Sequence, residues 1–115
     1  MLPTFKHLPK KPSYVHVTND VDIFTLFQNI EEKYETCFIL ESLGEPNQHA
    51  RYAVIGFSPA HLIVARGQTL TVDGVRYAVA NPYTALRDMI PADCIAREYA
   101  GGLVGYMSYA AVNYL

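Results

Sequence analysis

Residues 37–59, CFILESLGEPNQHARYAVIGFSP, decide the fold. They contain two apolar runs, residues 38–40 and 52–57, that are separated by a hydrophilic loop. Neither run has a polar side for water, so each predicts a central strand that is covered on both faces. The first run ends in Glu41 and Ser42, which places a carboxylate and a hydroxyl at the edge of a packed sheet. A small polar ligand could be held at such an edge.

The composition is typical of a small globular protein. The chain has 115 residues, of which 50% are hydrophobic, and it fits a single domain. Its net charge of −2 and its scattered Lys and Arg residues argue against nucleic acid as a partner. No apolar stretch approaches the roughly 20 residues that span a bilayer, and the amino terminus lacks the apolar core of a secretion signal. We therefore expect no membrane contact and a cytoplasmic protein, in which Cys37 and Cys94 are free thiols.

The first half of the chain alternates extended and helical patterns. Residues 1–13 carry three prolines and three lysines and are expected to be extended and frayed, whereas residues 14–115 form the domain. Residues 14–17 alternate weakly, as in an edge strand. After the capping residues 18–20, apolar side chains at helical spacing predict a helix over about 21–34. Residues 61–66 follow the two central strands and predict a third strand.

A β-hairpin with a defined register is expected over residues 69–79. If residues 73–74 form the two-residue turn, Leu70 faces Tyr77 and all large apolar side chains fall on one face. The opposite face carries Thr71 and Arg76. The hairpin should therefore be half solvated, unlike the central strands.

The last third of the chain predicts a helix and a strand. Asn81 and Pro82 start a short helix that Pro91 ends. Residues 101–109 are typical of a glycine-punctuated strand, and residues 110–115 of a helix start or turn. The whole order predicts an α+β domain, with a mostly antiparallel sheet and two or three helices on one side. Because nothing follows to cover residues 103–109, some self-association is expected.

The residues by themselves indicate no catalytic or metal site. The four histidines are far apart and have no ligand spacing, and no nucleophile elbow is present. The glycines at 101–105 open an apolar run, whereas phosphate loops open a helix, so they indicate a bulge or a close backbone approach. We therefore expect no cofactor in this chain.

Glu41 and Ser42 are the most informative pair. A site for an amino acid needs an anion for the ammonium, a hydroxyl or backbone donors for the carboxylate, and apolar walls. These two residues and the neighbouring apolar runs could supply all three. Alternatively, Glu41 pairs with Arg51 across the loop only to satisfy two charges. Arg51 could equally bind the carboxylate of the ligand, so both interpretations stay open.

Four motifs resemble the amino-terminal region of anthranilate synthase component I, in the order that this family has. They are FILES at 38–42, RYAVIGFSP at 51–59, NPYTALRDMIP at 81–91 and YAGGLVGYMSYAAVNYL at 99–115. The resemblance covers residues 14–115. A sister family, aminodeoxychorismate synthase component I, shares the arrangement. Two residues depart from the pattern: Ala53 stands where the family often has Ser, and Ala110 where an acidic residue is common.

The resemblance implies that the chain is part of a larger, two-half enzyme. In this family the amino-terminal region packs against a carboxyl-terminal half that binds chorismate and carries the Mg²⁺ ligands and catalytic residues. That half is absent from this sequence, so the chain alone is expected to be inactive. The complete subunit makes anthranilate from chorismate with ammonia from a partner, the glutamine amidotransferase component II.

The resemblance also implies a feedback site for L-tryptophan. Leu40, Glu41 and Ser42 would line that site, with Arg51 as an additional candidate. Three hypotheses follow. The chain is the regulatory part of a chorismate-using enzyme of the anthranilate or aminodeoxychorismate branch, or a stand-alone module that binds an aromatic amino acid, or a fragment that persists by self-association.

Overall fold

The computed structural model describes residues 2–5, 15–18, 20–41, 53–90 and 102–115. Its strands and helices are α1 (Ile23–Lys33), β1 (Cys37–Glu41), β2 (Ala53–Phe57), β3 (Ile63–Arg66), β4 (Thr69–Val72), β5 (Val75–Ala78), α2 (Pro82–Met89) and a 3-10 helix (Tyr109–Tyr114). All strand pairs are antiparallel, so the predicted α+β class is confirmed. The described strands form two sheets, β1-β2 and β3-β4-β5.

The chain divides into two compact units, and the first comprises His16–His61. Its helix α1 confirms the predicted helix, but it begins later, after Asp22. The Asp22 carboxylate accepts a hydrogen bond of 3.1 Å from the Thr25 backbone N–H, which caps the first turn. At the other end of α1, the N–H of Tyr34 donates to the carbonyl of Ile30.

Strands β1 and β2 confirm the two predicted strands of this unit. Their cover is lighter than the sequence predicts, because Leu40 and Phe57 are each 47% exposed. In the described part of the chain each of these strands pairs only with the other, so neither is a central strand. No residue of either strand is buried, so the expectation of cover on both faces is also wrong.

The second unit comprises Met1–Val15 and Leu62–Leu115 and contains the predicted hairpin. The register of β4 and β5 pairs Leu70 with Tyr77, as expected. Asp73 and Gly74 occupy the turn with φ of 50° and 85°. A tight hairpin turn of this kind needs positive φ at both central residues, and Asp and Gly adopt it at low cost.

The core of the second unit lies between the hairpin and α2. Its buried residues are Leu70, Val72, Ala85 and Met89. The hairpin is half solvated, as expected: α2 packs on one face and removes Leu70 and Val72 from water, whereas Arg76 on the other face is exposed. The expected contrast with β1 and β2 is wrong, because no residue of those two strands is buried.

The ends of this unit differ in part from the expectations. Residues 2–5 have no regular secondary structure, but they are held by the chain itself, since the N–H of Phe5 donates to the carbonyl of Met89 at 2.9 Å. The expected edge strand at 14–17 is absent from residues 15–17, where Val15 is 86% exposed. Residues 102–108 form no strand, and Gly102 has a φ of 139°, outside the strand region. The expected turn or helix start at 110–115 is present as the 3-10 helix.

Candidate functional site at the end of strand β1

Leu40 and Glu41 are the last two residues of β1, and both are exposed. The antiparallel register pairs Leu40 with Val54 and Glu41 with Ala53. The structure therefore places two of the predicted site residues together at one end of the two-stranded sheet. The other two, Ser42 and Arg51, lie outside the described residues.

The side chains of Leu40 and Glu41 belong to opposite faces of this sheet. Successive residues of a strand alternate between faces, so Glu41 shares a face with Ile39 and Leu40 shares one with Phe38. A ligand that lies flat on one face can contact only one of the two side chains. A ligand that contacts both must sit across the end of the strand.

The face of Glu41 is apolar except for the carboxylate. The cross-strand partners Ile39 and Ile55 lie on it, and both are half-buried. Phe57 follows on the same face, and its ring centroid lies 4.7 Å from that of Tyr34, at the end of α1. Tilted aromatic pairs at this distance are favourable contacts. Glu41 thus provides a negative charge at the exposed margin of an apolar, partly covered surface.

The opposite face is built on a close contact between Phe38 and Gly56. These two residues are register partners, and a Cβ at position 56 would lie 2.9 Å from Cδ1 of Phe38 and closer still to Cε1 and Cζ. The ring of Phe38 therefore occupies the space that a side chain at position 56 would need. Glycine in a strand marks such a close approach, and aromatic cover of this kind compensates for its missing side chain.

The Glu41 carboxylate has no hydrogen-bond or ion-pair partner within the described ranges of the chain. An exposed carboxylate of this kind can accept charge-assisted hydrogen bonds from a ligand ammonium, each worth about 1.5–3 kcal/mol. The alternative pairing with Arg51 involves a residue outside the described ranges and stays a prediction. The sequence thus predicted the position of Glu41 at a strand end, and the structure adds that Glu41 is exposed there.

A second polar surface was not singled out from the sequence. It lies on the outer face of the β3-β4-β5 sheet, where Arg66 and Arg76 flank Thr69 and Thr71. The alternation of residues along the hairpin had placed Thr71 and Arg76 on this face. Arg66 and Thr69 had not been placed on it. The pairing of β3 with β4 brings Arg66 opposite Thr69 and puts both on this face.

The described residues contain neither a cluster of metal ligands nor a membrane-spanning helix. Among them, no group of three or more His, Cys, Asp and Glu side chains could hold a metal ion. No helix in these ranges has the length and apolar character that a membrane span requires.

Comparison with known proteins identifies relatives that share the same name. The chain is 44% identical over 115 residues to Anthranilate synthase component 1 of Leptospira biflexa, and the match covers 98% of this chain and 25% of that protein. It is 35% identical over 95 residues to the protein of the same name from Methanothermobacter marburgensis, covering 79% of this chain and 21% of that protein. The corresponding protein of Methanothermobacter thermautotrophicus is 37% identical over 95 residues, which is 79% of this chain and 20% of that protein. No protein-family model and no solved structure matches the chain.

The likeness extends along the described elements and the motifs quoted above, because the first of these matches covers 98% of the chain. The chain spans about a quarter of the length of that curated relative. It is therefore similar to one segment of a longer protein. By its sequence, the chain belongs to the anthranilate synthase component I family.

Proposed function

We propose that this chain is the amino-terminal regulatory part of an anthranilate synthase component I, and that the end of β1 contributes to a site for L-tryptophan. The observation that carries the proposal is the exposed carboxylate of Glu41 beside the apolar surface of Ile39 and Ile55. The four motifs and the names of the curated relatives support the same family. Because those names all specify anthranilate synthase, they favour this branch over aminodeoxychorismate synthesis.

The chemistry of tryptophan suits this strand end. Its ammonium group would bind the carboxylate of Glu41, and its indole ring would lie on the apolar face beside it. Leu40 belongs to the other face, so it would contact the ligand only across the strand end. We therefore assign Glu41 the polar role and Leu40 a packing role, with Ser42 and Arg51 as candidates for the ligand carboxylate.

Regulation would act between this segment and the rest of a family-length enzyme. In the proposed arrangement, a chorismate-binding half supplies the Mg²⁺ ligands and the catalytic residues, and a glutamine amidotransferase component II supplies ammonia. Tryptophan can inhibit at a distance only if it binds one arrangement of the two halves more tightly than the other. This chain alone would then make no anthranilate.

The test uses the family-length protein that carries this sequence. Glu41→Gln removes the negative charge, and Ser42→Phe fills the predicted hydroxyl position. Glu41→Gln should raise the tryptophan concentration for half-inhibition by about tenfold or more, because a charge-assisted hydrogen bond is worth about 1.5–3 kcal/mol. Ser42→Phe should also raise it, because the larger side chain would occupy the space of the ligand. The uninhibited rate should stay unchanged, since neither residue touches the reacting atoms.

A matched control is Glu32→Gln, which removes an exposed carboxylate from α1 of the same unit. It should leave tryptophan sensitivity as it was. Unchanged inhibition in both Glu41→Gln and Ser42→Phe would refute the assignment of the site. Calorimetry of the 115-residue chain with tryptophan tests the hypothesis of a stand-alone binding module. Tight binding would favour that hypothesis, and no binding would favour a site that the other half completes.

A further inference from the structure

The outer face of the β3-β4-β5 sheet forms a second polar surface, far in sequence from Glu41. Leu70 and Val72 point to the core, so the alternate residues of β4, Thr69 and Thr71, point away from it. The register places Arg66 of β3 opposite Thr69 and Arg76 of β5 opposite Thr71. Two threonines of the central strand therefore lie between two arginines of the flanking strands.

This surface is concave. It forms a groove of about 500 Å³ that is lined by Val64, Arg66, Thr69, Thr71, Gly74 and Arg76. Thr69 and Thr71 are half-buried and form the floor, whereas the two arginines are exposed and form the walls. Gly74 has no side chain to close the groove at the turn. The volume lies within the range of about 300–1,000 Å³ that is typical of small-molecule sites.

The charge of the groove is unbalanced. Among the described residues that line it, both charged ones are arginines and none carries a carboxylate. Within the described residues neither Arg66 nor Arg76 takes part in an ion pair, whereas Arg87 on α2 has the carboxylate of Asp88 within 3.7 Å. Like charges on one sheet face repel each other, so an anion between these two side chains would stabilise both.

The distance between the arginines suits a ligand of limited size. Their strands are separated by one other strand and their positions are offset by two residues, which puts the Cα atoms about 12 Å apart at standard strand spacings. Arginine side chains from both walls can then approach one molecule from opposite sides. Each guanidinium can bind a carboxylate or phosphate group through two parallel hydrogen bonds, and threonine hydroxyls can donate further ones.

We propose that this groove is a binding site for a small oxyanion ligand, in which Arg66 and Arg76 clamp the charged groups and Thr69 and Thr71 donate hydrogen bonds from the floor. The shared chemistry is that of a carboxylate or phosphate group. A nucleic-acid backbone is a poor occupant, because the chain has a net charge of −2 and the described lining of the groove offers two cations, too few to follow a phosphate backbone. The groove is built from other residues than the proposed tryptophan site, and its test does not depend on that proposal.

The experiment is an amide chemical-shift titration of the 115-residue chain at low ionic strength. Inorganic phosphate and malonate are the two probes, added in separate series. Saturable shifts at Val64, Thr69 and Thr71 with either probe support the site, and the tighter probe identifies the class of oxyanion. The apparent affinity should fall as salt is added, since exposed charges are screened.

Variants test whether the arginines cause the binding. Arg66→Gln and Arg76→Gln should each weaken it by about tenfold, because each removes a charge-assisted pair of hydrogen bonds. The lysine variants at the same positions should weaken it less, since lysine keeps the charge but not the planar fork. Thr71→Val removes one hydroxyl with little change in shape and should weaken binding without altering the charge.

The matched control is Arg87→Gln, which removes one exposed positive charge elsewhere on the same unit. It should leave the affinity unchanged. The shifts of Leu70 and Met89 report whether each variant keeps its core. The proposal is overturned if neither probe gives saturable shifts, if the shifts persist when both arginines are replaced by glutamine, or if Arg87→Gln weakens binding as much as the groove variants do.

Discussion

The ring of Phe38 lies directly over Gly56, its register partner on the neighbouring strand. The ring occupies the space of a Cβ at position 56, so any larger residue there requires the ring or the strand to shift. We expect Gly56→Ala to lower the free energy of unfolding by about 1–3 kcal/mol, because the ring must leave its position or the strands must move apart. Urea denaturation followed by circular dichroism measures the loss.

Gly105→Ala is the control for this substitution, since no atom lies within 4 Å of a Cβ at position 105. It should change the free energy of unfolding by no more than about 0.5 kcal/mol. In a Phe38→Leu background, the cost of Gly56→Ala should shrink because the ring is gone. An equal cost in both backgrounds would contradict the close-contact explanation.

Asp73 joins the hairpin turn to the start of β3. Its backbone N–H donates to the carbonyl of Leu62 at 2.9 Å, and its carboxylate accepts from the Leu62 N–H at 2.8 Å, while its own φ is 50°. Asp73→Ala should destabilise the protein by about 1–2 kcal/mol, since it removes an acceptor and puts a less tolerant residue at positive φ. Asp73→Asn keeps an acceptor oxygen and tolerates this backbone, so it should retain most of the stability. Thermal unfolding of both variants makes the comparison, and equal losses would contradict the role of the backbone conformation.

Asn81 performs two functions with one side chain. Its oxygen accepts from the backbone N–H groups of Tyr83 and Thr84, which caps α2, and its nitrogen donates to the carbonyl of Tyr114 at 2.8 Å. Asn81→Ala should lose both and cost about 1–2 kcal/mol. Asn81→Asp keeps the cap but cannot donate, so only the 3-10 helix should loosen. Amide hydrogen exchange separates the two effects, and unchanged exchange at residues 109–114 in the aspartate variant would rule out the tether.

Residues 103–115 expose a series of large apolar side chains. Tyr106 and Tyr109 are 94% and 96% exposed, and Met107 is 58% exposed. Contiguous exposed apolar surface favours association, so we expect the isolated chain to self-associate as its concentration rises. Met107→Lys should weaken this association, and Val15→Lys, at another exposed apolar residue, should not. Light scattering over a concentration series measures both, and a monomer at all concentrations would contradict the expectation.

Local features of the fold were predictable from the residues alone. The Asp-Gly turn determines the hairpin register, and Asn81 with Pro82 determines the start of α2. Both depend on backbone preferences and hydrogen bonds within a few residues, which the tertiary structure does not override. The position of Glu41 at a strand end was likewise evident from the apolar run that it ends, and the family of the chain from its motifs and their order.

Burial was decided only by the tertiary structure. The apolar runs of β1 and β2 predicted the best-covered strands, yet the fully buried side chains of the described residues are Leu70 and Met89, on β4 and α2. Burial depends on which surfaces meet, and an apolar pattern shows only that a residue can be buried. For the same reason the sequence alone could place Leu40 and Glu41 at a strand end but could not show that both are exposed. Nor could it show that two arginines from different strands line one groove.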